Sequence, residues 1–191
     1  MAKHGTSEPE KDADGLVIQK HESIVLVVVP AAGYAEQTLR HARSSLHNVR
    51  VGTRSVSPAH EDLIKGRLQD EFMVDGTISG ETMDAYAGVI FVGGEGALAL
   101  AEDPDARRLA QEAARQDKMI GAWDHSVAVL AKAGILRGRR VTGAPAVERL
   151  VREAGGRYTG RQLERDGDLV TALDEAVGIR FGKTLAQIVG I

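Results

Sequence analysis

An aspartate and a histidine, Asp124-His125, stand where the hydrophobic period of the chain changes. Before them Met119, Ile120 and Ala122 form a short apolar run. After them Val127, Leu130, Ala131 and Gly134 fall at the i, i+3, i+4, i+7 spacing of one helix face. The stretch from Lys118 to Gly134 therefore predicts a short buried strand that turns sharply into an amphipathic helix. In a parallel α/β sheet such a junction lies at the carboxyl ends of the strands, where ligands bind and where a nucleophile can be held on a strained turn. A carboxylate at that turn has three chemistries open to it. It can cap the helix, an interaction of about 0.5–2 kcal/mol. It can act as a nucleophile or base, with His125 as the adjacent helper, although neighbours at a turn often point apart. Or Asp124, His125, Glu95 and Trp123 can line a pocket for a small cationic or polar ligand.

Other chemistry finds less support. Asp124 and His125 supply two metal donors without a third at a recognisable spacing, so no metal site is expected, and no cofactor is expected. Gly93-Gly94-Glu95-Gly96 lacks the spacing and the Lys-Ser/Thr of a phosphate-binding loop, and no G-x-G-x-x-G follows the first strand. Trp123 is the sole tryptophan in a chain with 4% aromatic residues, too few to make a stacking platform for bases. Among the remaining histidines, His4, His21, His41, His47 and His60, none forms a spaced pair; His41 and His47 fall on largely opposite sides of one helix. With no cysteine in the sequence, a disulfide framework, a thiolate metal site and a cysteine nucleophile are excluded. The net charge of −3 offers no basic footprint for nucleic acid, and no apolar run approaches the roughly 18 residues of a membrane span. No signal-peptide apolar region opens the chain, so a cytoplasmic location is the expectation.

These side chains need a scaffold, and 191 residues with 43% hydrophobic content can bury one core. Residues 1–22 are polar and of mixed charge and are read as a flexible tail, leaving 23–191 as a single domain. Ser23 to Pro30 is a continuous β-branched run suited to a central parallel strand. Gly33 permits a turn, and Leu39, Ala42 and Leu46 mark a first helix ending near Asn48. Val49 to Val56 reads as a second strand. From Ser57 to Ile78 the pattern is irregular, with Glu71 to Val74 as a strand of open pairing. Gly88 to Val92 is the next buried strand, followed by a helix after Pro104 that turns Leu109, Ala110, Ala113 and Ala114 inward. Beyond the Asp124 turn come a short strand at Arg139 to Thr142 and a helix with Val147, Leu150, Val151 and Ala154 on one face. A hairpin around Asp166-Gly167 and a last helix burying Phe181, Leu185 and Ile188 close the chain. Strand and helix alternate, which predicts a three-layer α/β/α sandwich with a mostly parallel, flavodoxin-like sheet.

The ordered segments Val89-Ile-Phe-Val-Gly-Gly94, Ile120-Gly-Ala-Trp-Asp-His-Ser126, Leu130 to Gly138, Val141-Thr-Gly-Ala-Pro145 and Asp166 to Thr171 resemble the ThiJ/PfpI family of the class I glutamine amidotransferase-like superfamily. The resemblance runs from about Ser23 to the carboxyl terminus. It implies homodimers or larger homo-oligomers, and the family includes proteases, chaperone-like proteins, glyoxalases, deglycases and isonitrile hydratases. Family chemistry rests on a cysteine at the elbow, where this chain has Asp124. The family glutamate that hydrogen-bonds that cysteine falls at Thr38, with Glu36 two residues away and about 200° around the helix. A histidine of some members falls at Ala144. The backbone N–H groups of Gly94 and His125 match the family's oxyanion hole, and a helix amino terminus there favours negative charge. The resemblance thus implies a scaffold without cysteine-dependent catalysis: a binding or sensing module with a small-molecule pocket lined by Gly94, Glu95, Trp123 and Thr38. The alternatives are a non-cysteine hydrolase or lyase using Asp124 with His125, or an inert domain like that of large-subunit catalases. An inert module would fill the elbow cleft with side chains.

Overall fold

The computed structural model describes residues 23–59 and 61–190. The tail expected over residues 1–22 lies outside the described residues, as do His4, His21 and His60.

The chain opens with strand β1 (Ser23–Val28), helix α1 (Glu36–Asn48) and strand β2 (Val51–Ser57), then short strands β3 (Leu63–Lys65), β4 (Glu71–Met73) and β5 (Gly76–Thr77). Strand β6 (Gly88–Phe91) leads to helices α2 (Ala97–Leu100) and α3 (Pro104–Arg115), and strand β7 (Met119–Trp123) to helix α4 (Val127–Lys132). There follow β8 (Arg140–Val141), α5 (Glu148–Glu153), β9 (Arg157–Tyr158), the hairpin of β10 (Leu163–Asp166) and β11 (Leu169–Ala172), and helix α6 (Gly178–Val189). The main sheet has seven strands in the order β10-β11-β7-β6-β1-β2-β5. Every pairing in it is parallel except β10 with β11.

The β-branched run of β1 sits at the heart of this sheet because both of its faces are covered. Leu26 and Val28 join Val89, Phe91, Ile120 and Ala122 beneath α2 to α5. Val25 and Val27 join Ile90, Val92 and Trp123 beneath α1 and α6. Successive strand residues point to opposite layers, so a strand buried on both sides must be apolar throughout. Full burial of each such aliphatic side chain is favourable by about 1.5–3 kcal/mol. The three-layer α/β/α sandwich expected from the alternation is the architecture observed, with β7, β6 and β1 as neighbouring parallel strands.

Helix α3 shows how local chemistry sets a boundary. Asp103 Oδ1 accepts the Ala106 N–H at 2.9 Å and Pro104 opens the first turn, while Ala106, Leu109, Ala110 and Ala113 are buried. We expect Asp103→Ala to lower stability by about 0.5–2 kcal/mol, read as a shift in denaturant midpoint at unchanged slope.

One local expectation is revised and two are completed. Helix α4 is buried nearly all round, from Val127 to Ala131, instead of showing a polar face. It is wedged among α2, α3 and α5, and three neighbours leave no open side. Arg140–Val141 pairs with Arg157–Tyr158 in a separate two-stranded sheet. Its arginines reach across to the β10 edge, where Arg140 N–H bonds Asp166 and Arg139 lies against the same carboxylate, so this strand stays outside the main ladder. Glu71–Met73 finds its partner in Leu63–Lys65, antiparallel, and the loop between them, residues 66–70, folds over the start of α1.

Candidate functional site

Strand β7 stays extended through Trp123 and then breaks at Asp124, whose φ is +56°. Left-handed backbone costs most side chains about 1–2 kcal/mol, and aspartate and asparagine tolerate it best among residues with a Cβ. Residues Asp124–Ser126 form a 3₁₀ turn that enters α4. Ser126 Oγ accepts the Trp123 N–H at 3.0 Å and lies 2.7 Å from Phe91 O and 2.8 Å from Trp123 O, so its single proton serves one of the two carbonyls. The elbow is thereby tied to the end of β6. Across the site, Asp124 O accepts the Ala144 N–H at 3.2 Å.

The decisive contact is made by the carboxylate. Asp124 Oδ2 accepts the Gly94 N–H at 3.1 Å. Among the described residues this is the one hydrogen bond its side chain accepts, so Asp124 does not cap the helix it precedes. Gly94 has φ +103°, and an added Cβ would lie 2.3 Å from Gly33 O and 2.8 Å from Ala35 N. Only glycine lets this amide come so close. The adjacent Gly93 O accepts the Ala35 N–H at 2.8 Å, which locks the turn after β1 onto the loop after β6.

His125 Nδ1 stands 3.0 Å from Asp124 Oδ1, with the histidine side chain 20% exposed. This is ion-pair distance, but the alignment falls short of a hydrogen bond, and Nδ1 is buried without a hydrogen-bond partner. The pair is therefore adjacent in space as well as in sequence. Glu95 is exposed on the loop rather than turned into the elbow. Trp123 is fully buried and meets Phe181 edge-on, with ring centroids 5.3 Å apart. It is a core residue and not a pocket wall, because an inward-facing position at the end of a central strand is covered by α6. Thr38 is likewise fully buried. Its amide bonds Glu175 Oε1 at 3.1 Å, and its hydroxyl lies against Gly178 at the start of α6. A position on the α6-facing side of α1 cannot also line an open pocket.

Sequence reasoning passed over Glu36. It is 3% exposed, and Oε1 accepts the Leu68 N–H at 2.5 Å from the 66–70 loop. Its Oε2 is buried without a partner. An added Cβ on Gly66 would lie 2.1 Å from Oε1, so the loop passes directly over this carboxylate. The available signal was an acidic residue at the first position of a helix following a Gly-containing turn. The same loop is held by Arg67, paired at 2.5 Å with Glu175 Oε2. The buried side-chain polar atoms without partners among the described residues are Glu36 Oε2, Thr38 Oγ1, Trp123 Nε1 and His125 Nδ1. All four fall on the first turn of α1 or on the elbow, and native interiors leave few such groups unmatched.

Among the described residues no group of three or more His, Asp and Glu side chains could hold a metal ion, and no helix is long and apolar enough to cross a membrane.

Comparison with known proteins agrees with this fold. An uncharacterized protein of Methanocaldococcus jannaschii is 28% identical over 161 residues, covering 83% of this chain and 78% of that one. The ThiJ/PfpI domain protein of Brachyspira murdochii superimposes with a TM-score of 0.83 at 21% identity, over 88% of this chain and 97% of its own. Drosophila melanogaster DJ-1beta superimposes with a TM-score of 0.79 at 20% identity, over 88% and 92% respectively. At these identities the superpositions speak for the fold. The sequence profile of the DJ-1/PfpI family matches residues 23–188, and the chain belongs to that family.

Proposed function

We propose that this protein is a binding or sensing member of its family, without cysteine-dependent catalysis, whose ligand site is the Asp124 elbow. The observation that carries this reading is the 3.1 Å bond from Gly94 N–H to the Asp124 carboxylate. An amide in that position serves acyl-transfer chemistry by stabilising a developing oxyanion. Here it is occupied by a carboxylate side chain from the chain itself. The carboxylate and His125 then present a polar surface to a small cationic or polar ligand. The unmatched Nδ1 of His125 supports the reading, since a polar group or water in the cleft would satisfy it.

The left-handed backbone of Asp124 together with the 3.0 Å approach of His125 favours a second reading, a hydrolase or lyase using Asp124 as nucleophile or base. One experiment separates the two. Trp123 is the sole tryptophan and adjoins Asp124, so its emission reports events at the elbow. The binding reading expects saturable emission changes with a panel of small amines and amides, lost in Asp124→Asn, and no turnover of methylglyoxal or p-nitrophenyl acetate above the buffer rate. Turnover abolished in the same variant would overturn it in favour of the second.

The reading includes a homodimer. Leu63, Leu68 and Met73 are 44%, 58% and 70% exposed on the β3–β4 hairpin and its loop, an apolar surface of the kind that marks a protein interface. Light scattering at micromolar concentration should give twice the chain mass of 20.4 kDa. A single-chain mass would remove the dimer.

A further inference from the structure

A polar cavity lies beside the first turn of α1. It has a volume of about 310 Å³ and is lined by Tyr34, Glu36, Arg43, Asp70 and Phe72 among others. That volume is at the lower end of the roughly 300–1,000 Å³ of small-ligand sites. None of Asp124, His125 and Gly94 belongs to it, so it stands apart from the elbow.

The charges around it are not balanced. Glu36, Asp70 and Glu71 face the cavity with Arg40 and Arg43. Both arginines are already engaged. Arg40 pairs with Asp70 at 3.0 Å, while Arg43 donates to Thr53 Oγ1 at 3.3 Å and lies 5.1 Å over the Phe72 ring. Glu36 is different, being 3% exposed with Oε2 unmatched. A buried carboxylate oxygen without a donor is costly, and an ammonium group supplies both the donor and the opposite charge. The aromatic wall suits the same partner. Tyr34 and Phe72 pack at 5.9 Å with tilted planes, and the protein's own Arg43 shows that the Phe72 face accepts a cation. The Tyr34 hydroxyl is held protonated, its pKa pushed up to about 12 by burial first and then by the charges of Glu36 and Asp70, as expected beside a site of negative potential.

We propose that this cavity binds a small organic cation bearing a primary ammonium group, with Glu36 as its charge partner and Phe72 as its aromatic wall. The class has two marks: the ligand carries a positive nitrogen, and a neutral isostere is rejected.

The test is calorimetric titration of the full chain, in its solution assembly, with 1,4-diaminobutane and with 1,4-butanediol. The diamine should bind saturably at one site, more weakly as salt rises, and the diol should give no saturable heat. Glu36→Gln should weaken diamine binding at least tenfold, and Phe72→Leu at least threefold, while Glu153→Gln on the distant α5 leaves it unchanged. Because Glu36 also holds the Leu68 amide, circular dichroism checks its variant. If that variant does not fold, Phe72→Leu decides. Equal binding of diol and diamine, no binding of the diamine, or full affinity in a folded Glu36→Gln or Phe72→Leu variant would each overturn the proposal.

Discussion

Gly94→Ala is expected to produce a large loss of stability at the elbow. The backbone there has φ +103°, and the new Cβ would lie 2.3 Å from Gly33 O and 2.8 Å from Ala35 N. The conformation costs about 1–3 kcal/mol for a residue with a Cβ. The methyl also meets backbone that is itself bonded, Ala35 N–H to Gly93 O, so relief requires moving the turn after β1 away from the loop after β6. Overpacking of this kind adds about 1–3 kcal/mol. The sum, about 2–6 kcal/mol, should appear as a fall in Tm of roughly 2–4 °C for each kcal/mol in a chain of this size. The same movement draws the Gly94 amide from the Asp124 carboxylate, so any elbow ligand should weaken along with the fold. A variant melting within 1 °C of the parent would show that the two loops are not held as rigidly as their bonds indicate.

Asp124 separates stability from binding through two substitutions. Asp124→Asn keeps an oxygen acceptor for the Gly94 N–H and a side chain that tolerates the left-handed backbone, so its stability should stay within about 1 kcal/mol of the parent. It removes the negative charge, and the elbow's affinity for a cationic ligand should fall sharply. Asp124→Ala strands the buried Gly94 donor, which costs about 1–3 kcal/mol. It also places alanine at φ +56°, which costs about 1–2 kcal/mol more. The alanine variant should therefore be less stable by about 2–5 kcal/mol, more than the loss of an ordinary helix cap. Chemical denaturation of both variants, alongside the Trp123 emission titration, checks the pair. If Asn and Ala lose equal stability, the carboxylate's charge rather than its acceptor oxygen holds the elbow together. If Asn binds as the parent does, the carboxylate has no role in recognition.

Much of the scaffold could be read in advance because its signals are local. The SIVLVV run of β1, the Leu39, Ala42 and Leu46 spacing of α1, the Asp103-Pro104 start of α3 and the change of period at Asp124 each lie within a short run of neighbouring residues. The structure changed or completed expectations where a neighbour decided the outcome. The 3.6-residue period of α4 matches an amphipathic helix, yet three helices close around it. Arg140–Val141 is the short strand its composition suggests, but the sheet it joins was settled by arginines drawn to the β10 edge.

The same division holds for the site. Asp124 could be placed at a strand-to-helix turn from the chain alone, and the absence of cysteine excluded thiolate chemistry without reference to any coordinate. Periodicity is a property of neighbouring residues, so the elements, their order and the elbow were determined by the sequence itself. The partner of the carboxylate was reached only through the family resemblance, because Gly94 lies 30 residues away on another loop. The burial of Glu36 under Leu68, 32 residues along the chain, and the turning of Thr38 toward α6 were not legible in the sequence. Those contacts depend on how parallel strands register and how their crossover loops meet at one end of the sheet, which only the tertiary structure decides.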